Sequence, residues 1–436
     1  MEKILWGIAT VVLLGSGFYF TIKLKFIQFR FKDILFNLTR KNNNKGITPL
    51  ETLNIALASR IGVGSLAGVS LAIYYGGIGS IFWMWVSAII CSANAFCESV
   101  LGSKYQKKDK DDIYTGGPSY YIEGGLGNKP LALIYAIIVT LAYIVGFLTI
   151  QANTIVKSIT EVYNIKPYII ALIIIILLFL IIVRGVKGIA KATSKIVPIM
   201  SISYIFITLF IVISNIKIMP SILINIVENA FNFKSVIIGF IPTLIIGIQR
   251  GLFSNEAGIG SGAIAAATTN VDSSVRIGYV QMIGVYFTTL VICTLTALVV
   301  ISSNYEELSL LDVNGIEITQ NAFHYHIGVL GHYVVMSAIV LFAFSTIITG
   351  YFYGESNLKY IFNKLTNKGI YVFKLLVLII LLMGSITSPT IIWNIVDNFV
   401  LLMALINIYA LIMLRHEIFA EYQYYKYKKL ISKKRR

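Results

Sequence analysis

Residues 249–262 read Gln249-Arg-Gly-Leu-Phe-Ser-Asn-Glu-Ala-Gly-Ile-Gly-Ser-Gly262. The apolar segment before them, Ser235 to Ile248, rises about 1.5 Å per residue and so reaches only part-way through a hydrocarbon core roughly 30 Å thick. At that depth the chain places an arginine, a glutamate, an asparagine, two serines and four glycines. Lipid satisfies neither free backbone nor charge, so this stretch must face protein or a watery cavity. A helix broken here leaves free carbonyls on its first half and free amides, with a positive dipole end, on its second. That arrangement suits a small zwitterion or a cation. A stretch of the same character, Ala58-Ser-Arg-Ile-Gly-Val-Gly-Ser-Leu-Ala-Gly68, lies about 190 residues earlier, and two interrupted helices in corresponding positions of two halves point to a transporter's central site.

Composition agrees. The 436 residues are 57% hydrophobic and 13% charged, with mean hydropathy +0.80. A soluble domain lies nearer half apolar and a quarter charged, so the chain is an integral membrane protein in the lipid bilayer. The net charge of +16 raises nucleic acid as a partner, but about 29 of the 36 Lys and Arg fall in alternate loops and the C-terminal tail. That is the positive-inside distribution of a membrane protein, and no nucleic-acid partner is expected. Cys91, Cys97 and Cys293 lie in apolar helices as small core residues, and neither a disulfide framework nor a metal site can be built from their spacing. The first twenty residues lack a basic front and a small-residue cleavage site, so they read as a retained helix.

Taken in order, residues 4–22 form a first crossing. The basic loop after it, with Lys23, Lys25, Arg30, Lys32, Arg40, Lys41 and Lys45, places that side in the cytoplasm and the N-terminus outside. Thr48-Pro-Leu-Glu51 is a capping box with proline at the first helical position. The helix it opens runs through the break near Gly62–Gly64 to about Tyr75, and the next returns from about Gly79 to Lys104, with Lys107, Lys108 and Lys110 beyond it. Gly116-Gly-Pro-Ser-Tyr-Tyr-Ile-Glu123 reads as a short interfacial helix. Helices follow at roughly 130–157, 167–184, 192–214, the broken 235–270, 276–302, 328–355, 370–388 and 390–414. Basic residues at 184–195, 359–374 and 415–436 land on the inner side. The loop 303–325, with Glu306, Glu307, Asp312 and Glu317 and no Lys or Arg, lands outside.

The fold class is thus an all-α polytopic membrane protein of about eleven transmembrane helices. Residues 1–45 supply an extra N-terminal helix and a basic cytoplasmic loop. Residues 46–415 form a ten-helix core of two inverted five-helix repeats, 46–214 and 235–415, each opened by a broken helix. Residues 416–436 are a basic cytoplasmic tail. No nucleophile–base pair or phosphate loop occurs, so the chain does not read as an enzyme.

At the first break, Gly62, Val63, Gly64 and Ser65 offer backbone amides that suit a carboxylate. The carbonyls of Ala58 to Ile61 suit a hard cation such as sodium. The alternative is that these glycines serve close helix packing, and Arg60 in the same run favours function. Ser345 and Thr346 put adjacent hydroxyls into an apolar helix. They either bond back to their own helix or complete an oxygen cage with the carbonyls of the first break. Gln151, a lone amide in an apolar helix, has a neighbour or the substrate as its partner. Arg250 and Glu256 read as structural, gripping half-helix ends or one another. His324, His326 and His332 lie in or beside the acidic outer loop without an evident fourth ligand, so no metal is assigned there.

Several runs together resemble the alanine or glycine:cation symporter family. They are Gly251-Leu-Phe-Ser-Asn-Glu-Ala-Gly-Ile-Gly-Ser261, Gly76-Gly-Ile-Gly-Ser-Ile-Phe-Trp-Met-Trp85, Gly116–Glu123 and Phe342-Ala-Phe-Ser-Thr-Ile-Ile348. Val291-Ile-Cys-Thr-Leu-Thr-Ala-Leu298 and Asp397 with Leu402-Met-Ala-Leu405 extend the match over residues 46–414. The resemblance implies sodium-coupled uptake of alanine or glycine. It implies that Val63, Gly64 and Ser65 hold the substrate carboxylate, and that Phe253, Ser254 and Asn255 meet its amine and side chain with Gln151 nearby. It also implies that Ala58, Ile61, Ser345 and Thr346 form a sodium site.

Three departures stand out. The family shows Gly-Thr-Gly-Asn where this chain has Gly62-Val-Gly-Ser65, an acidic residue where Thr288 stands, and tryptophan where Gly350 aligns. The first two bear on a second ion site. The third predicts either extra room at Gly350 for a larger substrate or a gap closed by a neighbouring side chain such as Tyr351 or Phe352. The sequence therefore reads as a secondary active symporter of the plasma membrane, importing a small neutral amino acid with sodium as coupling ion by alternating access. A proton-coupled or larger-substrate carrier of the same fold is the alternative, and a non-transporting nutrient receptor a further one. No oligomer is implied.

Overall fold

The computed structural model describes residues 2–39, 47–109, 113–232, 239–304, 315–362 and 366–434. Arg40, Lys41, Lys45, Lys110, Glu306, Glu307, Asp312 and the start of the apolar segment at Ser235 lie outside the described residues. The helices are α1 (Glu2–Lys23), α2 (Phe31–Thr39), α3 (Pro49–Arg60), α4 (Ala67–Gly76), α5 (Ser80–Lys104), α6 (Pro118–Leu126) and α7 (Lys129–Leu141). They continue as α8 (Leu148–Val162), α9 (Pro167–Ile182), α10 (Gly185–Ser214), α11 (Met219–Ala230), α12 (Phe240–Asn255), α13 (Ser261–Ala266) and α14 (Ser274–Tyr286). The last are α15 (Thr294–Ile301), α16 (Gly315–Ile327), α17 (Leu330–Ile361), α18 (Asn367–Ser385), α19 (Pro389–Met413) and α20 (Arg415–Lys434). A π-helical segment, Ala142–Phe147, joins α7 to α8, and another, Phe287–Cys293, joins α14 to α15. Such bulges occur mostly at functional sites, and both lie beside the helix breaks described below. The only sheet among the described residues pairs β1 (Lys107–Lys108) with β2 (Tyr114–Thr115).

Eight described helices are long and apolar enough to cross a membrane. The shorter α9 and the two broken helices α3–α4 and α12–α13 complete the expected eleven crossings. Crossings alternate in direction, so beyond α1 the first and the sixth, which are the two broken helices, run oppositely.

Local chemistry sets the ends as expected. Thr48 Oγ1 accepts from Glu51 N–H at 3.2 Å and Thr48 N–H donates to Glu51 Oε2 at 2.8 Å, so the capping box that starts α3 is formed. α12 ends because Glu256 takes up left-handed φ of 55°, after which Gly258 (φ 100°) and Gly260 (φ 92°) turn the chain into α13. A non-glycine residue there costs roughly 1–2 kcal/mol, which its side-chain bonds must offset.

The structure also differs from the sequence reading in four places. The basic run 184–195 belongs to α10, not to a loop: Lys187, Lys191 and Lys195 recur every fourth residue on one exposed face, with their heads free to reach water. The acidic loop contains α16, the tail is the helix α20, and two further helices, α2 and α11, fall between crossings. Short amphipathic helices lack the length signal on which the reading relied.

The outer helices show what solvent surrounds the bundle. Ile202 and Phe206 on α10, Ile176 and Leu180 on α9, and Ile379 and Met383 on α18 are all more than half exposed. In water such faces would be driven together, whereas lipid tails are as apolar as they are. The interior is built by α3, α4, α5, α12, α13 and α14, which bring the two breaks into contact.

Candidate functional site

The chain between α3 and α4 is a short 3-10 turn, Val63–Ser65, wholly buried. The end of α12 packs directly on it. A Cβ at Gly64 would lie 2.9 Å from the Phe253 ring and 3.2 Å from Ser254 Cα, so only glycine allows the two breaks to approach. Ser65 and Ser254 bring their hydroxyl oxygens within 3.4 Å, Ser254 Oγ lies 3.0 Å from Cys293 Sγ, and the Ser65 carbonyl accepts from Thr296 Oγ1 at 2.9 Å.

The amides of the first break are partly occupied by the protein itself. Val63 N–H donates to Gln151 Oε1 at 2.9 Å, and Ser65 N–H donates to the Gly62 carbonyl at 3.1 Å. The lone amide of Gln151 thus finds its partner at the break. A Cβ at Gly62 would meet Thr346 Oγ1 at 2.5 Å and Gln151 Oε1 at 2.8 Å.

Ser345 and Thr346 bond back to their own helix and also meet the carbonyls of the first break. Each bonds back to the Phe342 carbonyl, at 2.8 and 3.1 Å. Each also reaches across to the Ala58 carbonyl, at 3.2 and 2.9 Å, and Thr346 Oγ1 lies 3.3 Å from the Ser59 carbonyl. Ile61 caps α3 and is fully buried, but no hydrogen bond joins it to either hydroxyl among the described residues. Phe253, Ser254 and Asn255 form the last turn of α12. Asn255 Oδ1 accepts from Ala257 N–H at 2.9 Å, while its buried Nδ2 has no hydrogen-bond partner among the described residues.

At Gly350 the gap is closed by neighbours, and these are Leu148 and Tyr143 instead of Tyr351 or Phe352. A Cβ there would lie 2.6 Å from Leu148 Cδ1 and 3.1 Å from the Tyr143 ring. The glycine closes a helix contact between α17 and the π-helical segment before α8, and it leaves no room for a larger substrate. Aromatic rings line the site instead. Tyr143 stacks on Phe147 (4.7 Å, 19°), Phe147 on Phe253 (5.1 Å, 17°), and Phe253 meets Trp393 edge-on (4.8 Å, 63°). Arg250 lies 4.6 Å above the Trp393 ring and pairs with Asp397, both side chains being less than a tenth exposed. Beyond this pair opens a cavity of about 170 Å³, lined by Ala67, Leu71, Asn153, Lys157, Trp393 and Asp397 among others.

A polar network lies on the other side of the breaks. Glu256 Oε1 accepts from Ser59 Oγ at 2.7 Å and Glu256 Oε2 from Ser261 Oγ at 2.5 Å, so one carboxylate ties α3 to α13. Glu98 Oε2 accepts from Gly260 N–H at 3.0 Å and from Asn407 Nδ2 at 2.9 Å. Arg60, 1% exposed, donates to the Gln281 carbonyl at 3.0 Å. A Cβ at Gly262 would lie 2.8 Å from both Arg60 Nη2 and Glu98 Oε1. Arg250 and Glu256 therefore grip different partners, not one another, and the Arg60 guanidinium lies beside Glu98 with its hydrogen bond to the Gln281 carbonyl.

The sequence reading missed Glu98, Asn407, Thr296, Phe147 and Trp393. Glu98, an acid inside the apolar run of α5, carried a signal of its own, because ionisable residues at membrane depth are rare and functional. The rings carried none, since aromatic residues are common in any apolar helix. His324 and His332 rings lie 4.7 Å apart, and His326 Nε2 lies 3.0 Å from the Val299 carbonyl. Among the described residues no three His, Cys, Asp or Glu side chains are grouped to hold a metal.

Two oppositely running broken helices that meet in the interior, with buried hydroxyls against the carbonyls of one break, define a secondary transporter. The comparisons agree. Residues 1–436 match the sodium:alanine symporter family. The chain is 37% identical to the amino-acid carrier protein AlsT of Bacillus subtilis, over 97% of this chain and 90% of that protein. It is 36% identical to the probable sodium/glutamine symporter GlnT of the same organism, over 99% and 91%. It is 33% identical to the sodium/alanine symporter AgcS of Methanococcus maripaludis, over 97% and 95%. The protein belongs to the sodium:alanine symporter family, and is a transporter, not an enzyme.

Among solved structures, the manganese transporter of Eremococcus coleocola matches with TM-score 0.53 at 12% identity, covering 83% of this chain and 76% of that one. MhsT in complex with L-phenylalanine matches with TM-score 0.51 at 12% identity, covering 87% and 100%. These likenesses speak to the fold alone.

Proposed function

We propose that the protein is a sodium-coupled symporter that imports a small neutral amino acid across the plasma membrane by alternating access. The observation that carries this reading is the meeting of Gln151, Ser345 and Thr346 at the first break: an amide oxygen on Val63 N–H, and two hydroxyls on the Ala58 carbonyl. A substrate carboxylate takes the Val63 amide from Gln151, and Gly64 and Ser65 complete its cradle. Phe253, Ser254 and Asn255 receive the amine and side chain, and the unpartnered Asn255 Nδ2 is a donor in reserve. Sodium draws together the Ala58 and Ile61 carbonyls with the Ser345 and Thr346 hydroxyls, all oxygen ligands of the kind a hard cation takes. The hydroxyl protons then turn away from Ala58, which the rotors permit. Coupling requires that ion and substrate together favour the closed form.

Changing Ser345 and Thr346 together to alanine removes two of these oxygens. In proteoliposomes with sodium and proton gradients imposed separately, the variant is expected to lose sodium-driven uptake while folding normally. Sodium dependence equal to that of the wild type would remove both residues from the ion site, and uptake driven by protons alone would overturn the sodium reading.

The similarity to GlnT, whose name carries glutamine, favours a second reading in which the substrate is a larger neutral amino acid. Gly350 does not supply the space for it, so the room must come from movement of Phe253 and Trp393. Competition of uptake by glycine, alanine, leucine and glutamine separates the two readings.

For orientation, the basic faces at Lys104 and in α20 lie in the cytoplasm and α16 lies outside. The repeats span about 46–214 and 235–415. The protein's own cysteines are buried, so added ones report cleanly. Cysteine at Tyr325, 59% exposed on α16, is expected to react with an impermeant thiol reagent in whole cells, and cysteine at Tyr427, 63% exposed on α20, is not. The reverse pattern would invert the topology.

A further inference from the structure

The C-terminal helix α20 is docked against the connection that follows α1. Tyr425 Oη and the Asn37 amide exchange hydrogen bonds at 2.9 and 3.1 Å, and Lys429 pairs with Asp33. Between these elements lies a pocket of about 240 Å³, lined by Arg30, Lys426, Lys429, Asp33, Tyr279 and Leu430 among others. Three cations there face one carboxylate, which is already held by Lys429. Arg30 and Lys426 converge on the Tyr422 ring, at 5.8 and 4.5 Å, and neither has a carboxylate within ion-pair distance among the described residues. Burial and the nearby charges of Arg30 and Lys25 hold the Lys426 ammonium below its ordinary pKa. Like charges folded together in this way call for an anion.

The segment that carries Arg30 and Asp33 presents an apolar face beside the pocket. Phe26, Phe29, Phe31, Leu35 and Phe36 are all about half exposed or more, on a segment that leaves the membrane-crossing α1 only a few residues earlier. In α2 the buried positions are Ile34 and Asn37, so the helix turns its large apolar side chains outward. That is how a helix lies in a membrane interface. Phe36 is directly beside the cations, with Lys429 Nζ 5.5 Å from its ring.

We propose that this pocket binds the headgroup phosphate of an anionic phospholipid, with the acyl chains lying along Phe26, Phe29 and Phe36. A phosphodiester supplies the charge that Arg30 and Lys426 lack, and Arg suits phosphate through its planar fork of donors. A free phosphate would satisfy the cations but leave the aromatic face unused. Because Tyr279 belongs to α14, in contact with Phe96 of α5 (5.3 Å), a bound lipid braces the crossing that follows the second break. The proposal does not depend on which amino acid is carried.

The test uses the purified full-length protein. Phosphatidylglycerol, phosphatidylcholine with the same chains, and inorganic phosphate are titrated in turn. Unfolding temperature and retained lipid by native mass spectrometry are the readouts. Phosphatidylglycerol is expected to stay bound and to raise the unfolding temperature, with the other two giving little. Arg30→Gln/Lys426→Gln is expected to weaken phosphatidylglycerol binding about 30-fold, taking about 1 kcal/mol for each basic residue near an anionic surface. The control Lys32→Gln/Lys428→Gln removes two exposed charges outside the pocket and is expected to change binding less than about threefold. Equal response to phosphatidylcholine, the full shift with inorganic phosphate alone, or equal weakening in the control would each overturn the proposal.

Discussion

Asp397→Leu is expected to destabilise the protein by about 3 kcal/mol, because it leaves the Arg250 guanidinium buried and unpaired. The lower end of the range for breaking a buried pair applies, since Arg250 lines a cavity that admits water and keeps its contact with the Trp393 ring. The double replacement Arg250→Met/Asp397→Leu exchanges the pair for apolar side chains of similar volume and is expected to recover most of that loss. Transport should not recover with it. The pair holds α12 to α19 directly over the Phe253–Trp393 contact, and without it the stack loses the polar clasp above it. Unfolding midpoints of the two single variants and the double variant, set beside their uptake rates, form the measurement. Strict additivity of the stability losses would show that the two residues are not coupled. Full uptake in the double variant would show that the clasp is dispensable.

Glu256→Ala is expected to lower uptake about 100-fold, the equivalent of roughly 3 kcal/mol. Two charge-assisted hydrogen bonds are lost, each worth about 1.5–3 kcal/mol net. Ser59 and Ser261 recover part of this by turning to their own helix carbonyls. Glu256→Gly loses the same bonds but relieves the left-handed backbone at φ 55°, so it should retain roughly 1 kcal/mol more stability than alanine. Glu256→Gln keeps one acceptor and the size of the side chain and should fall between alanine and wild type in uptake. If alanine and glutamine transport equally well, the carboxylate does not join the two broken helices in any way that matters to function. If glycine is less stable than alanine, the account of how α12 ends is wrong.

These two carboxylates mark where sequence reading succeeds and where it stops. Arg250 and Glu256 read as structural because a charge at membrane depth needs a partner; of the two expected arrangements Glu256 takes the half-helix ends, at Ser59 and Ser261, and Arg250 takes Asp397 instead of Glu256. Asp397 lies 147 positions from Arg250 and Ser59 lies 197 from Glu256. Nothing in the chain ranks such distant partners before the helices are packed. Gly350 teaches the same lesson in reverse. A glycine in place of a large residue suggests space, but space is a property of the neighbours, and Leu148 and Tyr143 have taken it.

What the sequence determined by itself was everything that depends on local or one-dimensional physics. Hydropathy and length specified the crossings, and Thr48-Pro-Leu-Glu51 started α3 as its spacing required. Glycine runs interrupted by charged and polar residues at membrane depth marked both breaks, since such groups cannot face lipid. What only the tertiary structure decided was which groups satisfy those breaks. Gln151 took Val63 N–H, Glu256 took Ser59 and Ser261, and a column of rings from Tyr143 to Trp393 was assembled from three separate elements. The reason is physical: a buried donor bonds to whichever acceptor packing brings within about 3 Å, and packing depends on the shapes of all the helices at once.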